Sequence, residues 1–412
     1  MTRLICSGLF MHLALVTGLV TAADDEVDKN KDSNPLASDL GADFGNGLAQ
    51  WQKGDFDSAV ASLSKAIEQN PKELTILVAR GSVYYDKGDL DRSIADFTAA
   101  LDVQTSNSGA LLGRARCYYE KGDAKKAVDD VREAFKLNRD DSEALALGGI
   151  ILYECDQLKK ALAALDRAIK LDPKNAEALT TRGKAHYEQD ELDEALADFT
   201  AALAIDENDS DALRSRGRVY YHQDELEKAI ADLNQAIKLD PKDAEALVVR
   251  GLVYHDQDTL DQAIADYSAA IEIDPESAEA FQYRASAYFA NDDLDKALAD
   301  CDKAIKIAPE SDGARSCRVS VYLAKGDLEM ALADCDELIK HDAENAEAQY
   351  LRGKVWAARK DWSKAIADYS EAIRLDDRYA DAYSDRATAY DETADAAKAE
   401  ADRSKVKELE PE

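Results

Sequence analysis

The sequence predicts an all-α solenoid of tandem helix-turn-helix repeats, and three observations carry that prediction. A column of mostly small residues recurs every 34 positions, at Gly47, Gly81, Ala115, Gly149, Gly183, Gly217, Gly251, Ala285, Val319, Gly353 and Ala387. Around each member, apolar residues follow helical spacing in two blocks separated by a polar turn. Six of the seven prolines, at 71, 173, 241, 275, 309 and 411, share one column after the second block, and Pro35 stands apart. No predicted helix interior therefore contains a proline. A period this regular marks units that bury their apolar faces only against their neighbours. The length of 412 residues then counts repeats, not separate cores.

The N-terminus precedes the periodic region and has its own order. Thr2 and Arg3 give a short positive start, and 4–20 is apolar apart from small polar residues and His12. Thr21, Ala22 and Ala23 are small, and acidic Asp24 and Asp25 follow. This is the order of a secretory signal peptide, with residues 1–23 removed and the chain exported to a periplasmic or secreted location. An uncleaved membrane anchor is the alternative, although the run is slightly short for a full span. Once cleaved, the chain is expected to make no stable membrane insertion. Residues 24–39 are polar and acidic with no periodicity, and read as a disordered spacer. Eleven 34-residue units then fill 40–412, starting near 40, 74, 108, 142, 176, 210, 244, 278, 312, 346 and 380.

The sixth unit shows the pattern clearly. Ala212, Leu213, Val219 and Tyr220 have helical spacing, as do Leu226, Ala229, Ile230, Leu233, Ala236, Ile237 and Leu239. Asp224 and Glu225 mark the turn between two helices, and Pro241 punctuates the exit. Alanine recurs at the twentieth position of ten units, with Ser93 the exception, and at the twenty-seventh of nine. An aromatic column at the eleventh position holds Tyr84, Tyr118, Tyr220, Tyr254, Tyr288, Tyr322 and Tyr390. In these columns the chain strongly resembles the tetratricopeptide repeat. The resemblance implies a right-handed superhelix whose first helices line a concave face where ligands lie.

Comparison among the copies predicts a contact. Arg fills the seventh position in nine units and Asp the twenty-third in the same nine, as in Arg216 with Asp232 and Arg250 with Asp266. The two units lacking Arg (Asn46, Gly148) also lack Asp (Ser62, Ala164). A structural ion pair between the helices of each unit explains this. Shared duplication without contact is the competing explanation. The last second helix is polar, with Arg403 where a core aromatic usually sits, and reads as a cap. The ninth unit carries Val319 and Leu338 in small-residue columns and Cys335 in the aromatic one, which predicts looser packing or a bend over 313–341.

Signal removal takes Cys6 and leaves Cys117, Cys155, Cys301, Cys317 and Cys335. Their default reading is as small core residues. Cys317 could approach Cys301 or Cys335 in an oxidising compartment.

By the family resemblance, the twelfth position of each first helix faces the groove. It carries Trp51, Tyr85, Tyr119, Tyr153, Tyr187, Tyr221, His255 and Phe289, and then Leu323, Ala357 and Asp391. Tyrosine suits peptide binding because it offers apolar area and a hydroxyl at little entropic cost. The alternative is packing between helices. The ninth position adds Arg116, Lys184, Arg218 and Lys354, and the thirteenth adds Asp86, Glu120, Glu154, Glu188 and Asp256. No unit has Asn at its sixth or ninth position, so the family's Lys–Asn carboxylate clamp and its sugar-transferring asparagine ladder are both missing.

With 84 acidic against 51 basic residues, the net charge of −33 argues against a nucleic-acid partner and favours basic protein segments. No phosphate loop, zinc-type cysteine pair or HExxH helix is present, and no cofactor, metal or catalytic residue is expected. The expectation is a non-catalytic adaptor that holds extended peptide segments. A structural component of an envelope assembly, or an accessory subunit of an enzyme, is the alternative.

Overall fold

The computed structural model describes residues 40–137 and 139–409. The signal and spacer readings for 1–39 lie outside these residues, as does Pro411. Among the described residues there are 22 helices and no strand. The chain divides into two compact bodies, up to Ser215 and from Arg216 onward. In the first, α1 (Ala42–Gln52) packs on α2 (Phe56–Gln69), α3 (Leu74–Lys87) on α4 (Leu90–Val103), and α5 (Ser108–Glu120) on α6 (Ala124–Leu137). The pairs α7 (Ser142–Glu154) with α8 (Leu158–Leu171) and α9 (Ala176–Tyr187) with α10 (Leu192–Ile205) complete it. The boundary falls within α11 (Ser210–His222). The second body holds α12 (Leu226–Leu239) and the pairs α13 (Ala244–Asp256) with α14 (Leu260–Ile273) and α15 (Ala278–Ala290) with α16 (Leu294–Ile307). It continues with α17 (Asp312–Lys325) on α18 (Leu328–His341), α19 (Ala346–Ala358) on α20 (Trp362–Leu375), and α21 (Ala380–Glu392) on α22 (Ala396–Leu409).

Short polar side chains start and stop these helices. Asn107, Asp141, Asn175, Asp209, Asp243 and Asn345 share the last column of the repeat, and each side chain accepts the backbone N–H three residues on. Ser277 and Ser311 do the same, so these first helices are capped where their own carbonyls cannot reach. Between the two helices, the fifteenth residue of every repeat is left-handed. It is Gly54, Gly88, Gly122 or Gly326 in four repeats, and Asp in five, as at Asp224 with φ +58°. Glycine and aspartate tolerate that conformation with little or modest strain. Lys360 (φ +62°) and Ala394 (φ +60°) adopt it too, held by the helices on either side.

The eighth and twenty-fourth columns fit each other by volume. A Cβ built on Gly251 would lie 2.5 Å from Tyr267 Cε1, one on Gly183 would lie 2.8 Å from Phe199 Cε1, and one on Gly47 would lie 2.6 Å from Leu63 Cγ. Glycine there lets a large side chain reach the backbone of the facing helix. In three repeats a larger eighth residue is matched by a smaller twenty-fourth: Ala115 with Val131, Ala285 with Cys301, and Val319 with Cys335, whereas the end repeat sets Ala387 against the exposed Arg403. In repeat 9 Val319, Cys335 and Leu338 are all fully buried, so the added bulk in two columns is taken up by the loss of a ring in the third.

Nine arginine–aspartate forks lie between the helices of a repeat. In each, Nε and Nη2 of the arginine donate to the two carboxylate oxygens at 2.7–2.9 Å. The aspartates are buried, Asp232 at 8% and Asp266 at 7% exposed. The same guanidinium also reaches back one repeat. Arg80 Nη1 donates to Ser64 at 3.0 Å, Arg250 to Asn234 at 2.6 Å and Arg318 to Asp302 at 2.7 Å. One arginine thus ties three helices with a planar fork that lysine could not match. Repeat 4 has Gly148 instead, and the Phe135 ring of the preceding repeat lies against its backbone. The polar end helix α22 leaves Arg403 exposed and paired with Asp391.

Candidate functional site

The first helices of repeats 2 to 5, α3, α5, α7 and α9, bring together the ninth, twelfth and thirteenth columns. The twelfth residue of one repeat meets the thirteenth of the next. Tyr85 Oη donates to Glu120 Oε1 at 3.2 Å, and Tyr153 Oη to Glu188 Oε1 at 2.6 Å. In the second body Tyr221 is hydrogen-bonded to Asp256, and burial is the first cause of a phenol held well above its usual range. These rings are half-buried, so one edge packs and one remains at the surface.

Trp51 requires a correction. It is 1% exposed and belongs to the core with Phe44 and Leu63, so it offers no surface to a ligand. Its Nε1 donates to Asp86 Oδ2 at 2.6 Å, the same step from the twelfth to the thirteenth column. Burial pushes the Asp86 carboxyl up to about 6, opposed by that hydrogen bond and by Arg116. The folded state thus holds the proton more tightly than the unfolded chain. The contribution of Asp86 is complete below about pH 4 and is lost as pH rises through 6. Asp86→Asn is expected to raise stability on the order of 1 kcal/mol at pH 8 and not at pH 3.5. Urea midpoints at the two pH values check this.

The ninth-column cations are engaged. Arg116 Nε donates to Tyr85 Oη at 3.0 Å, and its Nη2 lies 3.8 Å from Glu154 Oε1. Lys184 pairs with Asp211, which also takes Arg214. Burial works to raise Asp211, and those two cations outweigh it and hold its carboxyl low. Arg218 Nη2 donates to Glu245 at 2.6 Å in the second body. Glu177 and Asp209 are pushed up, first by burial.

The step from the twelfth to the thirteenth column fails at one place within the first body. Tyr119 is half-buried, and its hydroxyl has no hydrogen-bond partner among the described residues. Glu154, which the step would supply, turns one oxygen toward Arg116 and leaves Oε2 buried without a partner. Burial raises its carboxyl, partly offset by Arg116. The Tyr119 hydroxyl and one oxygen of the Glu154 carboxylate are therefore both left without a hydrogen bond. Sequence reasoning had both columns but missed their pairing. The signal was the acid that follows the aromatic at a 35-residue offset. Tyr187 is half-buried on α9, and Phe289 is 36% exposed on α15.

Among the described residues no group of three His, Cys, Asp or Glu is placed to hold a metal, and no helix is long and apolar enough to cross a membrane.

Family models described as TPR repeat match residues 149–190, 183–224, 217–258 and 251–292. Models described as tetratricopeptide repeat match 44–104, 78–142, 318–382 and 278–311. Among curated proteins, none matches this chain. Among solved structures, the anaphase-promoting-complex hetero-tetramer Cut9–Hcn1 aligns over 97% of this chain and 96% of its own at 11% identity, TM-score 0.53. That likeness supports the fold alone. A tetratricopeptide repeat protein from Parabacteroides merdae is 22% identical over 65% of this chain and 93% of its own, TM-score 0.43. YrrB, whose structure is described as having an unusual peptide-binding site, is 29% identical over 45% of this chain and 95% of its own, TM-score 0.36.

Proposed function

Since the chain belongs to the tetratricopeptide-repeat family, we propose that it is a non-catalytic scaffold that holds an extended peptide segment against α3, α5, α7 and α9. The observation that carries this reading is the break in the aromatic–carboxylate ladder at Tyr119 and Glu154. On either side of it, Tyr85 and Tyr153 are closed by their own hydrogen bonds to Glu120 and Glu188 and offer mainly ring edges. At the break, an incoming segment finds the Tyr119 phenol, and a donor on it that turns the quarter-exposed Glu154 side chain outward gives the buried Oε2 the partner it lacks. Glu154, Glu177 and Asp209, each raised by burial, favour a cationic side chain, and the net charge of −33 favours a basic segment over nucleic acid. Export is part of the proposal, on the signal-like order of residues 1–23.

The test uses the full chain and a displayed library of extended peptides. Enrichment of Lys or Arg at one position is expected with the native chain. Glu154→Gln is expected to lower that enrichment about 10- to 100-fold, the scale of a lost hydrogen bond to a charged group. Tyr119→Phe should weaken binding without changing the charge preference. Equal enrichment by all three proteins would overturn the reading.

A further inference from the structure

In several repeats the twenty-fourth residue touches a second column besides the eighth: the sixth residue of the following repeat. Tyr267 and Tyr283 stack with centroids 6.0 Å apart, and a Cβ on Gly113 would lie 2.5 Å from Phe97 Cζ. Cys335 and Leu351 share one core by the same relation. At the junction of repeats 8 and 9 both members of this column pair are cysteines, Cys301 on α16 and Cys317 on α17. The same column relation sets these two thiols against one another, and both are free. The remaining cysteines are placed otherwise. Cys117 bonds the Ser93 hydroxyl at 3.1 Å, Cys155 ends α7, and Cys335 lies against Val319 and Leu351.

We infer that Cys301 and Cys317 are a dithiol site that closes to an intrachain disulfide, stapling repeat 8 to repeat 9, on exchange with a disulfide oxidant of the glutathione class. The two sulfurs play different parts. Cys317 is half-buried and accepts the Ser286 hydroxyl at 3.7 Å, a donor that favours its thiolate. Cys301 is fully buried, and its neighbour Cys317 and that burial both disfavour its thiolate. The Cys317 thiolate attacks one sulfur of the oxidant, whose S–S bond breaks and releases one thiolate. Cys301 then attacks the Cys317 sulfur of the mixed disulfide, its proton passing to the second thiolate as that thiolate is released. Two cysteine thiols give up two electrons and two protons, and the oxidant's disulfide becomes two thiols.

The full chain incubated with glutathione disulfide tests this, by thiol titration and mass mapping of the digest. A loss of two thiols is expected, with a crosslinked peptide joining the Cys301 and Cys317 segments in monomeric protein. Cys335→Ser should behave identically. Cys301→Ala should lose one thiol and retain a stable glutathione adduct on Cys317, because the resolving sulfur is gone. An unchanged thiol count would overturn the inference. So would a crosslink to Cys335, a crosslink between chains, or a persistent adduct on Cys317 in the native protein. The native-chain mapping decides the matter even where a variant folds poorly.

Discussion

Arg250→Ala is expected to destabilise the helices around it by about 3 kcal/mol or more. Asp266 accepts Nε and Nη2 of Arg250 at 2.7 Å each and is only 7% exposed. Without the guanidinium, the carboxylate stays desolvated with no counter-charge, and Asn234 loses a donor at 2.6 Å. The Arg250 side chain is itself 19% exposed, which places the loss toward the lower end for buried pairs. Amide hydrogen exchange in α13 and α14 reads the effect locally, and about 100-fold faster exchange is expected. A change below about 0.5 kcal/mol would show the pair to be dispensable. Replacing both partners by leucine should recover most of the loss, because no stranded charge remains. The same arithmetic applies to Arg216 and Asp232, joined at 2.7 and 2.9 Å.

Gly251→Val is the second large effect, at about 1–3 kcal/mol, from packing rather than charge. The new Cβ would meet the Tyr267 ring at 2.5 Å, and that ring is fully buried. Repeat 9 shows how this chain accommodates a valine at that column, by pairing Val319 with Cys335. Gly251→Val combined with Tyr267→Cys should therefore be more stable in a urea melt than either single variant. Strict additivity of the two losses would mean that the columns do not share one space.

These two cases also show what was legible in sequence. The forks could be read because nine copies carry both residues and two carry neither, a comparison one chain seldom permits. The departures of repeat 9 could be read from its three columns together, but how two of them relate could not. That relation lies in three-dimensional contact between Val319 and Cys335, which no single column displays. Trp51 misled for a similar reason. Its column faces outward in most repeats, yet in the first repeat the indole packs beside Phe44 and its N–H is taken by Asp86. The gap at Glu154 was beyond pattern reading altogether, since a carboxylate's choice of Arg116 over Tyr119 is a matter of rotamer and distance.

The two directions of reach described above bear on how such a chain gains and loses length. Within each body the fork arginines find a third helix in the repeat before them, and a twenty-fourth residue such as Tyr267 or Cys335 is completed by the repeat after it. No cut point in the 34-residue period isolates a self-sufficient module. Any cut point serves equally well, provided that a whole period is added or removed, because both outward contacts are then remade with equivalent columns. A duplication arising anywhere among the inner repeats is therefore tolerated if its span is a multiple of the period. A span of any other size misaligns every contact downstream of it at once.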